Sequence, residues 1–129
     1  MGQQCLIDSN AVIDFLGGKL PQAGINFMNN IVNDIPKISV MTKIELLGYN
    51  APPSSYQLLV DFIDSSILLD LSSDIVDRTI VLRKSMRIKI PDAIIAATAL
   101  VFDLELISRN EDDFKGIAGL KLINPWKIK

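Results

Sequence analysis

Five short apolar runs, separated by segments with helical periodicity, constrain the fold of this chain more than any other feature. They are Cys5–Ile7, Ile38–Val40, Ile67–Leu71, Leu104–Ile107 and Leu120–Ile123. Strands without polar alternation are buried on both faces, which is typical of parallel sheets covered by helices. Because such strands alternate here with helical segments, the sequence predicts an α/β sandwich with a mainly parallel central sheet.

The size and composition of the chain fit one ordinary domain over residues 1–129. Of these 129 residues 49% are hydrophobic and only 6% aromatic, which predicts an aliphatic core. The single cysteine, Cys5, excludes an internal disulfide and a cysteine-built zinc site, and it suits a reducing compartment. The start of the chain lacks a signal-peptide pattern, and the longest charge-free apolar stretch, Ala93–Phe102, is about half of the ~20 residues that a membrane helix needs. We expect a soluble, cytoplasmic protein without a membrane partner.

Acidic residues stand near four predicted helix beginnings in a chain that contains no histidine. They are Asp8, Glu45, Asp92 and the pair Asp112-Asp113. In open parallel sheets, sites form beyond the carboxyl ends of the strands, so Asp8, Glu45 and the Asp112-Asp113 pair are expected at one edge. Asp92 has no strand directly before it, so the pattern alone does not bring it to that edge. In a first helical turn it also gains from the helix dipole.

Clustered carboxylates in a histidine-free chain favour hard, oxygen-seeking cations such as Mg²⁺ or Mn²⁺. Neighbouring carboxylates raise one another's pKa, and a divalent cation removes that repulsion. Such a cation would polarise a phosphodiester and generate hydroxide from water, so the chain needs no nucleophilic side chain. The acids therefore predict a metal-dependent phosphoryl-transfer enzyme.

Helix capping is a competing explanation for some of these acids. Thr42 and Glu45 have the spacing of a capping box, and Asn110 and Asp113 have the same spacing. For Glu45 and Asp113 taken singly, capping is the better explanation. Asp8 differs, because a carboxylate that ends a buried strand is costly without a partner.

Four sequence blocks resemble the motifs of PIN-domain proteins, and more closely those of VapC-type toxin ribonucleases. The blocks are Asp8-Ser9-Asn10, Ser39–Leu46, Pro91–Ala99, and Leu106–Asn110 with Asp113-Phe114. Each block is weak by itself, whereas all four in the right order over nearly the whole chain are specific. The resemblance implies a PIN-like three-layer α/β/α sandwich. It also implies a magnesium-dependent endoribonuclease that is the toxin of a type II toxin–antitoxin pair.

By this resemblance, Asp8, Glu45 and Asp92 form the metal site. The expected cofactor is Mg²⁺, for which Mn²⁺ can substitute. Asp113 is expected as a fourth catalytic acid beside these three metal ligands. RNA phosphodiesters would be hydrolysed there by metal-activated water.

The fourth acidic position stays open among Asn110, Asp112 and Asp113. A neutral Asn110 lowers the local charge, so one tightly held metal ion is expected rather than two. By the resemblance, Asn10, Thr42 (or Ser9) and Asn110 would contact the metal ligands or metal-bound water. Capping of the first helix explains Asn10 equally well.

Four basic residues lie within seven positions just before Asp92. They are Arg83, Lys84, Arg87 and Lys89. On a helix, Arg83, Lys84 and Arg87 would share a face, and such a patch beside the acids would hold RNA phosphates. A solvated helix face is the commoner fate of a charge run, but the closeness to Asp92 favours RNA. Arg109 is a further candidate for RNA contact.

Two apolar stripes, Ile25–Val32 and Leu58–Ile63, exceed what one small sheet must cover on one side. By the resemblance, helices of this region form a homodimer and a groove for a cognate antitoxin. The alternative functions are a PIN-type nuclease acting in RNA processing or on DNA, a non-catalytic binding module, and a phospho-acceptor domain. The last is disfavoured because Asp8 has no acidic neighbour in the sequence.

Overall fold

A computed structural model describes residues 4–129, and a five-stranded parallel sheet forms its centre. The strands are β1 (Cys5–Ile7), β2 (Lys37–Ser39), β3 (Ile67–Leu69), β4 (Glu105–Ile107) and β5 (Lys121–Ile123). Their order across the sheet is β3-β2-β1-β4-β5, and every pairing is parallel. The predicted α/β fold with a parallel sheet is confirmed.

Helices cover both faces of this sheet. They are α1 (Ser9–Leu16), α2 (Gln22–Asn33), α3 (Val40–Leu47), α4 (Pro53–Asp64), α5 (Ser73–Ser85), α6 (Ile90–Val101), α7 (Glu111–Phe114) and a 3₁₀ helix (Pro125–Lys127). Within residues 4–129, none of the helices combines the length and the apolar character needed to cross a lipid bilayer.

Successive residues of the strands supply two separate cores. Leu6 and Leu106 pack in one cluster with α5 and α6, whereas Ile7 and Ile107 pack in the other with α1, α2 and α4. Side chains of a strand alternate between faces, so this division makes a three-layer α/β/α sandwich. The stretch Ala93–Ala99 of α6 is buried throughout.

The prediction that the two apolar stripes exceed the needs of the sheet is wrong for most of their residues. Met28, Ile31, Leu59, Phe62 and Ile63 are buried in the core cluster on the α2 and α4 side. Their helices cover the sheet with these side chains, so little of either stripe is left for a partner.

The cap of α1 differs from the prediction. Asp8, rather than Ser9 or Asn10, precedes the helix in extended conformation and accepts a hydrogen bond from the Ser9 amide at 2.8 Å. The helix therefore begins directly at the carboxyl end of β1. This places the Asp8 carboxylate at the edge of the sheet where α1 starts.

The predicted capping box of Thr42 and Glu45 is also wrong. Ser39 caps α3, and its hydroxyl accepts a hydrogen bond from the Met41 amide at 3.0 Å. Thr42 and Glu45 consequently lie inside the helix, one turn apart. Ser72 likewise caps α5, and its hydroxyl accepts a hydrogen bond from the Ile75 amide at 3.3 Å.

The strand order creates a crevice at the carboxyl ends of β1 and β4. The chain runs from β1 to β2 and β3 on one side, and then crosses over to β4 and β5 on the other. The connections that leave β1 and β4 therefore diverge, and open α/β sheets bind ligands at such a switch point. Asp8 and Ser108 are the first residues beyond these two strands.

Candidate active site

Asp8 lies in this crevice and is only 5% exposed. Its carboxylate accepts hydrogen bonds from three neutral donors: the Ser9 amide at 2.8 Å, the Asn10 side chain at 3.2 Å and the Ser108 hydroxyl at 2.8 Å. Burial raises the pKa of Asp8; the bonds from Ser108 and Ser9 oppose that shift, and the negative charge of Glu45 adds to it. In the part of the chain described, no salt bridge reaches Asp8.

Ser108 is a site residue that the sequence analysis missed. It is fully buried, and its hydroxyl accepts hydrogen bonds from the Asn10 side chain at 3.2 Å and the Asn110 amide at 3.0 Å while donating to Asp8. The signal was available: Ser108 is a polar residue directly after a buried strand, as Asp8 is. Its role was hidden because the sequence does not show that β4 pairs with β1.

Asn10 makes contacts in this crevice instead of capping α1. Its side-chain amide donates to Asp8 and Ser108, and its Oδ1 accepts from the Arg109 amide at 2.9 Å. Asn10 therefore ties the start of α1 to the connection that follows β4. This geometry fits the predicted contact with a metal ligand.

Glu45 reaches the same region from the second turn of α3. Its carboxylate accepts a hydrogen bond from the Ser9 hydroxyl at 2.7 Å, which joins α3 to α1. Thr42, one turn earlier on the same helix, is fully buried, and its hydroxyl has no hydrogen-bond partner within residues 4–129. A buried hydroxyl without a hydrogen-bond partner costs roughly 1–3 kcal/mol of folding free energy. The Thr42 hydroxyl oxygen is therefore suited to contact with a polar ligand.

Asp92, in the first turn of α6, is the second strongly perturbed acid. Its pKa is raised to about 6, mainly by burial and further by the charges of Asp113, Asp8 and Glu45 and by a hydrogen bond to Asp113. The four predicted acids therefore interact with one another, including Asp92, which the sequence pattern alone did not bring to this edge. Among the residues described, none of the four takes part in a salt bridge.

The three alternatives for the fourth position occupy different surroundings. Asp113 is the acid that perturbs Asp92, and the side-chain amide of Asn110 donates a hydrogen bond to the Asp113 carboxylate. Asp112 is 91% exposed at its side chain and pairs with Lys115 at 3.6 Å. Asn110 stands at the N-cap position of α7, but its side chain makes no capping hydrogen bond. The capping explanation therefore fails for Asn110 and Asp113 as well.

The donor set fits a sparsely ligated divalent cation. Within residues 4–129 no three acidic or cysteine side chains are close enough to form a complete set of metal ligands. Mg²⁺, however, takes one or two protein carboxylates and completes its shell with water and substrate phosphate. The unneutralised carboxylates and the unpartnered Thr42 oxygen are the hard donors that such an ion prefers.

A cleft of about 310 Å³ opens beside Asp92. Charged side chains of both signs line it: Arg83, Arg87, Lys89, Asp92, Asp112 and Asp113. A phosphate group in this cleft would meet both cationic and acidic side chains. This arrangement suits a substrate that carries negative charge on either side of a metal ion.

The predicted helix face of basic residues is wrong, although most of its members line this cleft. Helix α5 ends at Ser85, so Arg87 and Lys89 belong to the connection between α5 and α6. The Arg83 guanidinium donates a hydrogen bond to the Ile88 carbonyl, which braces that connection. Lys84 does not line the cleft.

Residues 5–120 match the family model described as PIN domain. The chain belongs to the PIN-domain family. This confirms the prediction made from the four sequence blocks, and the expected PIN-like fold with it. PIN domains are nucleases, so membership supports a hydrolase of the nuclease class. None of the curated proteins matches the chain.

Solved toxin–antitoxin complexes contain chains similar to this PIN domain. A chain of a toxin–antitoxin complex from Klebsiella pneumoniae is 30% identical, with a TM-score of 0.70 over 96% of this chain and 99% of that chain. A chain of VapBC from Salmonella typhimurium bound to DNA is 22% identical, with a TM-score of 0.77 over 96% of this chain and 99% of that one. A chain of VapBC2 from Rickettsia felis, bound to a DNA fragment from its promoter, is 22% identical, with a TM-score of 0.76 over 92% and 96%.

Proposed function

We propose that this PIN domain is a magnesium-dependent endoribonuclease and the toxin of a type II toxin–antitoxin pair. The observation that supports the proposal is that Asp8, Glu45 and Asp113 all raise the pKa of Asp92, while no described side chain forms a salt bridge with any of these four acids. Likeness to chains of toxin–antitoxin complexes supports the biological role. We place this activity in one domain, residues 1–129, acting in the cytoplasm.

In this proposal Asp8 and Asp92 would hold one Mg²⁺ ion, or Mn²⁺ in its place, and Glu45 would become a further ligand once its carboxylate moves within reach of the ion. The bound ion would neutralise the phosphodiester and activate the attacking water. Asp113 faces Asp92 and would orient water or accept a proton. Asn10, Thr42 and Asn110 would keep the ligands and their waters in place, as the hydrogen bonds of Asn10 to Asp8 and of Asn110 to Asp113 suggest.

RNA would approach through the cleft beside Asp92. Arg87 and Lys89 have exposed side chains there and would neutralise phosphates next to the scissile one. Arg83 would act in part by bracing the connection through Ile88, and Lys84 would contribute from outside the cleft.

An antitoxin and a second copy of the chain are the proposed protein partners. An apolar groove of about 200 Å³ between α1 and α4, lined by residues such as Ile13, Leu16 and Leu58, suits an antitoxin segment. Val76, Ile80 and Val81 are exposed on α5 and suit a homodimer contact. Light scattering of the purified chain with and without its antitoxin measures both assemblies.

Cleavage assays on matched RNA and DNA oligonucleotides test the proposed activity. We expect RNA cleavage that requires Mg²⁺ or Mn²⁺, stops with EDTA, and falls on the order of a thousandfold in Asp8→Asn. Asp103→Asn is the matched control, because Asp103 lies at the opposite edge of the sheet and asparagine tolerates its positive φ of 53°. Cleavage that persists in EDTA would exclude the metal mechanism, and a preference for DNA would exclude the RNA assignment.

A further inference from the structure

Asp14 is a buried carboxylate that the proposed metal site does not use. It is 2% exposed and lies on α1 six residues after Asp8, about 9 Å further along the helix. Its carboxylate accepts hydrogen bonds from Arg109 Nη1 at 3.0 and 3.2 Å and from the Trp126 indole N–H at 2.9 Å. Helix α1, the connection after β4 and the 3₁₀ helix therefore meet at this one carboxylate.

The connection after β4 touches the acidic crevice with three consecutive residues. The Ser108 hydroxyl donates to Asp8 at 2.8 Å, and the Arg109 amide donates to Asn10 Oδ1 at 2.9 Å. The Asn110 side chain donates to the Asp113 carboxylate. A displacement of residues 108–110 would thus disturb Asp8 and Asp113 together.

Trp126 is held in place independently of Asp14. Its amide donates to Asn124 Oδ1 at 3.0 Å, which caps the 3₁₀ helix. The helix also packs so closely on α2 that a Cβ added to Gly24 would lie 2.3 Å from the Pro125 carbonyl oxygen. The indole N–H is therefore presented to Asp14 by a segment that is docked through its own backbone.

We infer that Asp14 is a positioning residue: with Trp126 it orients Arg109, and through Arg109 it fixes residues 108–110 against Asp8. Hydrogen bonds between a guanidinium and a carboxylate are strong and directional, and the buried oxygen atoms have little access to competing water. The Arg109 side chain thereby points along α1 to Asp14 and anchors the residue whose backbone amide holds Asn10. The catalytic consequence rests on the proposed nuclease function.

Three variants test this inference on the full chain: Arg109→Met removes the ion pair, Arg109→Lys keeps the charge, and Trp126→Phe removes the indole donor while keeping a smaller aromatic ring. Lys121→Met is the matched control, because it removes the Lys121–Asp103 pair (3.3 Å) at the opposite edge of the sheet. Two kinds of measurement are made well below the unfolding midpoint of each variant. These are kcat and KM for RNA, and hydrogen–deuterium exchange of the amides of residues 108–114.

We expect Arg109→Met to lower kcat by about 10- to 100-fold with KM changed by less than about threefold, because the supporting contacts orient catalytic groups and do not bind substrate. Exchange at residues 108–110 should accelerate in the same variant. Trp126→Phe should change kcat and exchange in the same direction by less. Arg109→Lys should recover part of kcat. Lys121→Met should leave kcat and exchange unchanged.

Three other outcomes have distinct meanings. Unchanged kcat and unchanged exchange in folded Arg109→Met would overturn the inference. A raised KM with unchanged kcat would overturn it in favour of direct RNA contact by Arg109. If the wild-type chain cleaves no RNA but Arg109→Met still accelerates exchange at residues 108–110, the proposed function fails while the anchoring by Asp14 stands.

Discussion

Two buried carboxylates, one capping α1 and one inside it, have opposite surroundings. Asp14 receives a guanidinium and an indole N–H from this chain, whereas Asp8 receives neutral donors and has the negative charge of Glu45 nearby. The first region, the Asp14 anchor, consists of Asp14, Arg109 and Trp126. The second, the acidic crevice, contains Asp8, Glu45, Asp92 and Asp113.

The difference shows how a chain divides its buried acids between stability and chemistry. A carboxylate removed from water is costly unless a cation or good hydrogen bonds compensate it. At the anchor the compensating cation is Arg109, so the acid is a structural group. In the crevice no described cation forms a salt bridge with the acids, so the negative charge remains for a ligand to neutralise.

The largest expected effect comes from the same substitution made in each region. Asp8→Asn should lower RNA cleavage on the order of a thousandfold while leaving the free energy of unfolding unchanged or raised, since it removes a buried charge that no described salt bridge compensates. Asp14→Asn should lower the free energy of unfolding by about 2 kcal/mol, a value reduced from that of a fully buried pair because the Arg109 side chain is 55% exposed. Urea unfolding followed by circular dichroism measures both. Equal destabilisation by the two substitutions would break the comparison.

A smaller effect should appear in the pH dependence of the metal-free protein. Asp92 has a pKa of about 6 against its ordinary value of 3.8, so the folded state binds its proton more tightly than the unfolded state does. Its contribution to stability is therefore present below pH 3.8 and is lost as the pH rises through about 6. Asp92→Asn should match the wild type near about pH 4 and be more stable by about 1 kcal/mol near about pH 7.5, after allowance for solvent screening.

Urea unfolding in EDTA at these two pH values measures that difference. Saturating Mg²⁺ should restore the stability of the wild type at neutral pH. Its affinity for Mn²⁺ should weaken as the pH falls below about 6, because the Asp92 ligand must be deprotonated. If the stability difference between the wild type and Asp92→Asn did not depend on pH, Asp92 would not belong with the acids of the crevice.

The smallest effect is expected at an exposed ion pair. Lys127 and Glu111 are 2.6 Å apart, closer than Arg109 and Asp14, but their side chains are 69% and 40% exposed. Water and salt screen such a pair, so Lys127→Met should not shift the urea midpoint resolvably, whereas Arg109→Met should. A shift as large as that of Arg109→Met would show that burial is not what distinguishes the anchor.

Several elements were predictable because their signals are local. The strand Cys5–Ile7 and the buried helix around Ala93–Ala99 follow from short apolar runs and an apolar helix surface, and both are confirmed. The helix beginnings were less well predicted. Asp8 and Ser39 each stand at the carboxyl end of a strand and also cap the helix that follows it. Their capping geometry depends on the backbone angle at which the chain leaves the sheet, which residue type alone does not specify.

By itself the sequence determined the alternation of buried strands with helices, the histidine-free set of acids at Asp8, Glu45 and Asp92, and the family. Tertiary structure alone decided that β4 lies next to β1, because strand order depends on crossover connections and not on local pattern. That neighbourhood brings Ser108 to Asp8 across 100 positions of chain and Arg109 to Asp14 across 95. Contacts at such separation form only when the whole sheet assembles. The sequence could therefore identify the acids, but it could not show which of them would lack a salt bridge in the folded chain.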